Sequence, residues 1–238
     1  NKKVKRKKTT YLKQIIKMKH KQTTAVTIAT TVTTVYVVIT LLAKMGTCNE
    51  VHIASSSEFN SFASSVSAGS TYSGKTVFLE TDISLSSSST PIGSGSKSFQ
   101  GVFDGQGHII QYIGIKGSDS GYYGLFASLS GSGSVRNVVL PSGSISVTTE
   151  HPVFIGGIAA YCSRSGYILI ENCISMLSLS FTHEGSNGAT NYHLGGIVSW
   201  LNHDNGLVTI RNCANYGKIT LSGTSRVTAE MGGIVSGT

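Results

Sequence analysis

The sequence predicts an all-β protein: a right-handed parallel β-helix, or solenoid, with a short N-terminal capping helix, preceded by a basic and apolar signal or anchor segment. Three observations carry this. Short runs rich in Val, Ile, Thr and Tyr alternate with Gly, Ser and Asn, the composition of many short strands joined by tight turns. Fixed phrases recur at intervals of 35 to 40 residues, the mark of a stacked repeat. One segment alone has the period of a helix.

The basic segment comes first. Ten of the nineteen basic residues lie between Lys2 and Lys21, and Lys44 is an eleventh. From Met45 onward eight basic residues face eleven acidic ones, a net charge of −3 against +8 for the whole chain. A basic protein raises nucleic acid as a partner, but charge gathered in one block ahead of an apolar stretch is a targeting pattern, so no nucleic-acid partner is expected. Ala25 to Ala43 holds no charge, and its strongest part is Val35 to Ala43. Its length approaches that of a membrane span. Six threonines dilute it, which favours a cleaved signal over a retained anchor. Met18-Lys-His-Lys21 makes a conventional start for such a signal. Met45-Gly-Thr-Cys48 fits a lipoprotein box badly, so Cys48 reads as an ordinary residue near the junction. The expected divisions are a basic segment over 1–24, a signal peptide or anchor over 25–47, and a β-helix over 48–238.

The helix follows. Ser55 and Glu58 have capping-box spacing: the hydroxyl takes a free N–H and the carboxylate reaches back. Phe59, Phe62, Ala63 and Val66 fall on one face, and Gly69 is a natural stop. This helix is expected to lie over the first open coil as a lid, because a bare solenoid end exposes core and unpaired backbone. Lys75–Glu80 and Asp82–Leu85 then read as short strands.

The repeats decide the architecture. Gly156-Gly-Ile, Gly195-Gly-Ile and Gly232-Gly-Ile are copies of one phrase, with Gly124-Leu-Phe126 a diverged first copy. Glu171-Asn-Cys173 and Arg211-Asn-Cys213 form a second phrase, preceded by Arg136-Asn-Val138. Fixed phrases with variable spacing mean fixed strands with variable loops. The paired glycines fit where the chain bends or approaches a neighbour closely. Asn137, Asn172 and Asn212 are expected to stack as a ladder of hydrogen-bonded amides, with Cys173 and Cys213 stacking beside them. The two cysteines are candidates for a disulfide or metal pair; the plainer reading, small buried residues filling ladder positions, is preferred for them and for Cys162.

These phrases, with Phe99-x-Gly-x-Phe-Asp-Gly-x-Gly-His108 and Tyr123-Gly-Leu-Phe126, resemble the GLUG-repeat proteins over about residues 50–238. The resemblance implies a β-helix at a bacterial cell surface, or a non-catalytic part of an IgA-specific metallopeptidase. It implies no defined ligand or reaction. The chain stops at Thr238 inside a repeat, so a longer parent protein is expected.

Complete catalytic motifs are missing from the sequence. His183-Glu184 has no second His where a zinc peptidase needs one. No Cys/His spacing of zinc type occurs, so no metal and no cofactor is expected. Gly93-Ser-Gly-Ser-Lys97 lacks the strand-to-helix setting of a phosphate loop. Asp104-Gly-Gln-Gly-His108 is the most tempting acid–base pair; the plainer reading is a tight turn in which Asp104 bonds its own backbone. His193, Trp200, His203 and Asp204 form a second cluster, where an indole beside polar loop residues is placed to stack on a sugar ring or, more commonly, to pack a corner. The candidate ligand-binding residues are therefore Trp200, His203, Asp204, Asp104 and His108, and no catalytic residue is assigned. The expected function is an exported, secreted or surface-displayed module for structure or adhesion, without catalysis. Its expected partner is a host or cell-surface glycan or protein, and it meets the membrane only through its N-terminal segment. The alternatives are an accessory region of a larger secreted metallopeptidase and a polysaccharide-active β-helix enzyme.

Overall fold

The computed structural model describes residues 49–85, 88–163, 166–185, 192–202, 206–223 and 228–237. The signal or anchor segment, Cys48, His203 and Asp204 lie outside the described residues. No helix among the described residues is long and apolar enough to cross a membrane.

Asn49–Thr238 forms one unit, built of parallel sheets and one short helix. Each strand pairs with its equivalent one repeat later, so the chain winds through the same faces again and again. The longest sheet stacks Glu50–Ile53, Thr76–Leu79, Val102–Asp104, Ser134–Arg136, Gly166–Glu171 and Gly206–Arg211 in that order. A short sheet follows the Asn phrase, with Val139–Leu140, Ile174–Ser175 and Ala214–Asn215. A four-stranded sheet then holds Ile113–Gly117, Gly143–Thr149, Ser178–His183 and Ile219–Gly223. Two more four-stranded sheets flank the glycine phrase. Gly121–Tyr123, Val153–Gly156, Tyr192–Gly195 and Ala229–Gly232 precede the corner; Phe126–Leu129, Ala159–Cys162, Val198–Leu201 and Val235–Gly237 follow it.

Alternation along each strand sends every second side chain inward. Val135 stacks on Ile170 and Ile170 on Ile210, and Ile145 on Leu179. The inward residues are buried as far as Val198; in the last described coil their equivalents Ile210, Ile219, Leu221 and Val235 are half-buried. At the corner, a Cβ on Gly195 would overlap the carbonyl oxygen of Val198. The glycine is thus required by close backbone approach. The corner at Gly124 is one residue shorter: two residues separate Tyr123 from Phe126, whereas three separate their partners Ile155 and Ala159.

The helix α1 spans Ser56–Ser67 and buries Phe59, Phe62, Ala63 and Val66. The Ser55 hydroxyl accepts the Glu58 N–H at 3.2 Å, and the Glu58 carboxylate accepts the N–H of Ala54 at 2.7 Å, one residue beyond the usual capping-box partner. At the other end Gly69 adopts φ +112°, while the N–H groups of Ser70 and Gly69 bond the carbonyls of Ser65 and Val66, the pairing of a Schellman stop. Phe62 packs on the inward rings of Phe99 and Phe103, centroids 5.7 and 5.8 Å away. The helix therefore continues the apolar interior with its own ring face.

Candidate functional site

Two outer surfaces gather the polar and aromatic residues singled out above. The first follows the Asn phrase. Asn137, Asn172 and Asn212 all have left-handed backbones, φ +56°, +53° and +52°, a conformation that Asn tolerates better than most residues. The Asn172 amide donates to the Asn137 carbonyl oxygen at 3.0 Å, and the Asn212 amide to that of Asn172 at 3.2 Å. Asn137 in turn donates to Asp104 Oδ1 at 2.9 Å, so a carboxylate heads the row of amides.

Beside this row runs a second one. Asp104, Arg136, Glu171 and Arg211 occupy one register position on successive strands, so charge alternates along the stack. Arg136 Nε lies 2.9 Å from Asp104 Oδ2, and Arg211 Nη2 lies 2.6 Å from Glu171 Oε2. Opposite charges on directly paired residues favour this register over a slipped one. Asp104 also accepts the Gln106 N–H at 2.9 Å. Burial pushes its pKa up, but the Asn137, Gln106 and Arg136 hydrogen bonds and the Arg136 charge outweigh that and hold it below the usual carboxylate range.

His108 is committed elsewhere: its Nδ1 lies 3.0 Å from Asp82 Oδ1, which also accepts the Ile109 N–H. A neighbouring pair, His52 Nδ1 and Glu80 Oε1, stands at 2.6 Å, with the Gln106 amide donating to the same carboxylate oxygen. Asp104 and His108 thus hold separate hydrogen-bond partners. An open hollow of about 490 Å³ lies over Asp104, Gln106 and Asn172.

The three described cysteines are free thiols. Cys173 reaches the Glu171 and Val135 carbonyls at 3.2 and 3.6 Å, and Cys213 repeats the pattern one coil on with Arg211 and Ile170 at 3.3 and 3.6 Å. Their mutual hydrogen bond raises the Cys173 thiol and lowers the Cys213 thiol. Burial pushes Cys162 up to about 12 and keeps it protonated. Among the described residues no group of three metal-ligating side chains comes together.

The second surface surrounds the glycine corner. Tyr122, Phe154, His193 and Glu230 share one register position, each two residues before a glycine phrase. Tyr122 stacks on Phe154 at 5.0 Å and 8°, and Phe154 on His193 at 4.9 Å and 12°. Past the corner, Tyr161 pairs with Trp200 in register, and both rings stand steeply against the first column. His193 and Trp200 do meet, with centroids 4.4 Å apart. Trp200 is half-buried, its ring so close to Gly237 that a Cβ there would crowd it. His193 is 5% exposed, and its Nδ1 lies 3.3 Å from Glu230 Oε2 without a formed hydrogen bond. Burial lowers the His193 pKa, and the Glu230 carboxylate opposes that shift.

Sequence reasoning missed Tyr122, Phe154, Glu230 and the Arg136 and Arg211 pairs. Counting back two residues from each glycine phrase would have found the aromatic column. No family model matches the chain, and no curated protein matches it. A solved structure of a candidate immunoglobulin A1 protease from Bacteroides ovatus is similar, at 18% identity over 79% of this chain and 72% of that chain, with a TM-score of 0.41. A likeness of that size assigns no activity here.

Proposed function

We propose that this chain is an exported, surface-displayed β-helical module that serves adhesion or presentation and carries no catalysis of its own. The observation that carries this reading is the engagement of Asp104. The carboxylate best placed for chemistry is tied to Arg136, Asn137 and the Gln106 backbone, and it serves to hold coils in register. The GLUG-type phrases fall at the corners and amide row that join one coil to the next, as a stalk built from repeats needs. The coils wind right-handed, because right-twisted parallel strands return to their own sheet with that hand. The basic and apolar N-terminal segment directs export or anchors the chain, and the partner is a host or cell-surface glycan or protein.

Labelling intact cells with a membrane-impermeant amine reagent tests display. The full chain should be labelled without lysis; labelling that requires lysis would overturn the reading. Polysaccharide depolymerisation by wild type and Asp104→Ala tests the absence of catalysis, and both should be inactive. Activity in the wild type that the substitution abolishes would make this an enzyme.

A further inference from the structure

We propose that a cleft beside the Tyr122 column is a binding site for a neutral saccharide. This rests on the reading of the chain as a binding module and names the ligand class. The cleft, about 550 Å³, lies between the turn Ser94–Lys97 and the strand Gly121–Tyr123, with Pro152 and Phe154 on its lining. That volume is within the range of small-ligand pockets, roughly 300–1,000 Å³.

Both walls are held in place. The turn is closed by reciprocal backbone bonds between Ser94 and Lys97, at 3.0 and 3.2 Å. Its Gly95 rests on the Tyr122 ring so tightly that a Cβ there would overlap the ring. On the other side the Tyr123 hydroxyl donates to the Asp119 carbonyl at 3.0 Å and fixes the approach to Ser120 and Gly121.

The lining decides the ligand. Its apolar part is Tyr122, Tyr123, Phe154 and Pro152; its polar part is Ser94, Ser96, Ser120 and the glycines between and beside them. None of the lining residues carries a charge. A charged polymer would give up water there without a counter-charge. Phe154 is covered on both faces by Tyr122 and His193, so the apolar wall open to a ligand is that of the two tyrosines and Pro152; a sugar presents C–H groups to that wall and hydroxyls to the serines and backbone. A proline-rich peptide needs separated aromatic ridges with a slot between them. Tyr122 and Phe154, stacked at 8°, close that slot.

The test is titration of the full chain with cellotetraose, mannotetraose and lacto-N-tetraose, read by saturation-transfer NMR and by fluorescence of Trp200, the single Trp, which stands 6.2 Å from the Phe154 ring. Sialyllactose and decaproline are the charged and peptide probes. At least one neutral probe should bind. Tyr122→Ala should weaken it about tenfold. Ser120→Arg, at an exposed rim position, should do the same with an unchanged melting temperature, which separates loss of the cleft from loss of the fold. Silence from every neutral probe, binding that survives both substitutions, or binding by sialyllactose or decaproline alone would each overturn the inference. Surface labelling reads display separately: a displayed chain that binds no saccharide refutes this inference only, whereas a chain hidden from the reagent refutes the reading beneath it.

Discussion

Asn172 makes two hydrogen bonds that no other side chain could make from that backbone. Its amide donates upward to Asn137 and its carbonyl accepts from Asn212, while its φ is +53°. Ala at this position loses both bonds and places a Cβ in the left-handed region; Gly loses the bonds but keeps an easy backbone. Asn172→Ala should therefore cost about 2 kcal/mol, and Asn172→Gly about 1 kcal/mol less than that, in denaturant unfolding. Equal costs would mean that the backbone carries no strain there. His193 gives a residue-scale prediction in pH. Its folded pKa is lowered from 6.5, so the unfolded chain binds the proton more readily, and stability falls as pH drops from that value through the folded one. Asp104, also lowered, loses its contribution in a separate and more acidic window, below the ordinary carboxylate range. The melting temperature should fall as the pH drops below 6.5. His193→Phe keeps the stack on Phe154 and should flatten that fall; Glu230→Gln removes the charge that favours the protonated ring and should steepen it. An identical slope in all three proteins would assign the fall to other groups.

At the scale of the element, corners and caps are specified more tightly than strands. Gly195 and Gly232 open successive copies of the same phrase, and a Cβ on either would overlap a carbonyl oxygen, that of Val198 or of Val235. Gly195→Ala should cost about 3 kcal/mol or prevent folding, and Gly232→Ala should be comparably damaging, measured by thermal melts of the two variants. A loss within about 0.5 kcal/mol at either site would show that the phrase is kept for a reason other than steric closure. Helix α1 was legible because its determinants are local: Ser55, Glu58, four apolar residues and Gly69 lie within 15 residues of one another. The Asn phrase and the glycine phrase were legible because repetition marks them. The pairing of Arg136 with Asp104 and the stack of Phe154 on His193 were not, since each needs the register between strands more than 30 residues apart. The loops between those strands vary in length, and the corner at Gly124 is one residue short. Counting along the chain therefore loses the outer residues, while burial of the inner ones survives as simple alternation.

The described coils form a one-dimensional stack, in which each pairs with the coil before it and the coil after it. Length should then be adjustable in whole coils and in no other unit. Asn172 and Asn212 are 40 residues apart and occupy the same place on successive coils. Deleting 173–212 joins Asn172 to Cys213 and sets the last described coil on the one before its present neighbour. Ala214 then faces Val139, Ile219 faces Ile145, Leu221 faces Val147 and Val235 faces Ala159, by the pairings that Ile174, Leu179, Phe181 and Val198 now make. Each inward position stays apolar, and Glu171 keeps Arg136 as its neighbour. The shortened chain should give the same β-type circular dichroism per residue, remain monodisperse on gel filtration, and unfold cooperatively at a lower midpoint because one coil and one interface are gone. A deletion of half that length, begun at the same residue, sets one face against a different face and sends polar residues inward, which strands buried polar groups without partners. That variant should be insoluble or unfolded. If both deletions fold equally well, the coils are not held in register by their ladders; if both fail, the stack is a single indivisible core rather than a sum of repeats.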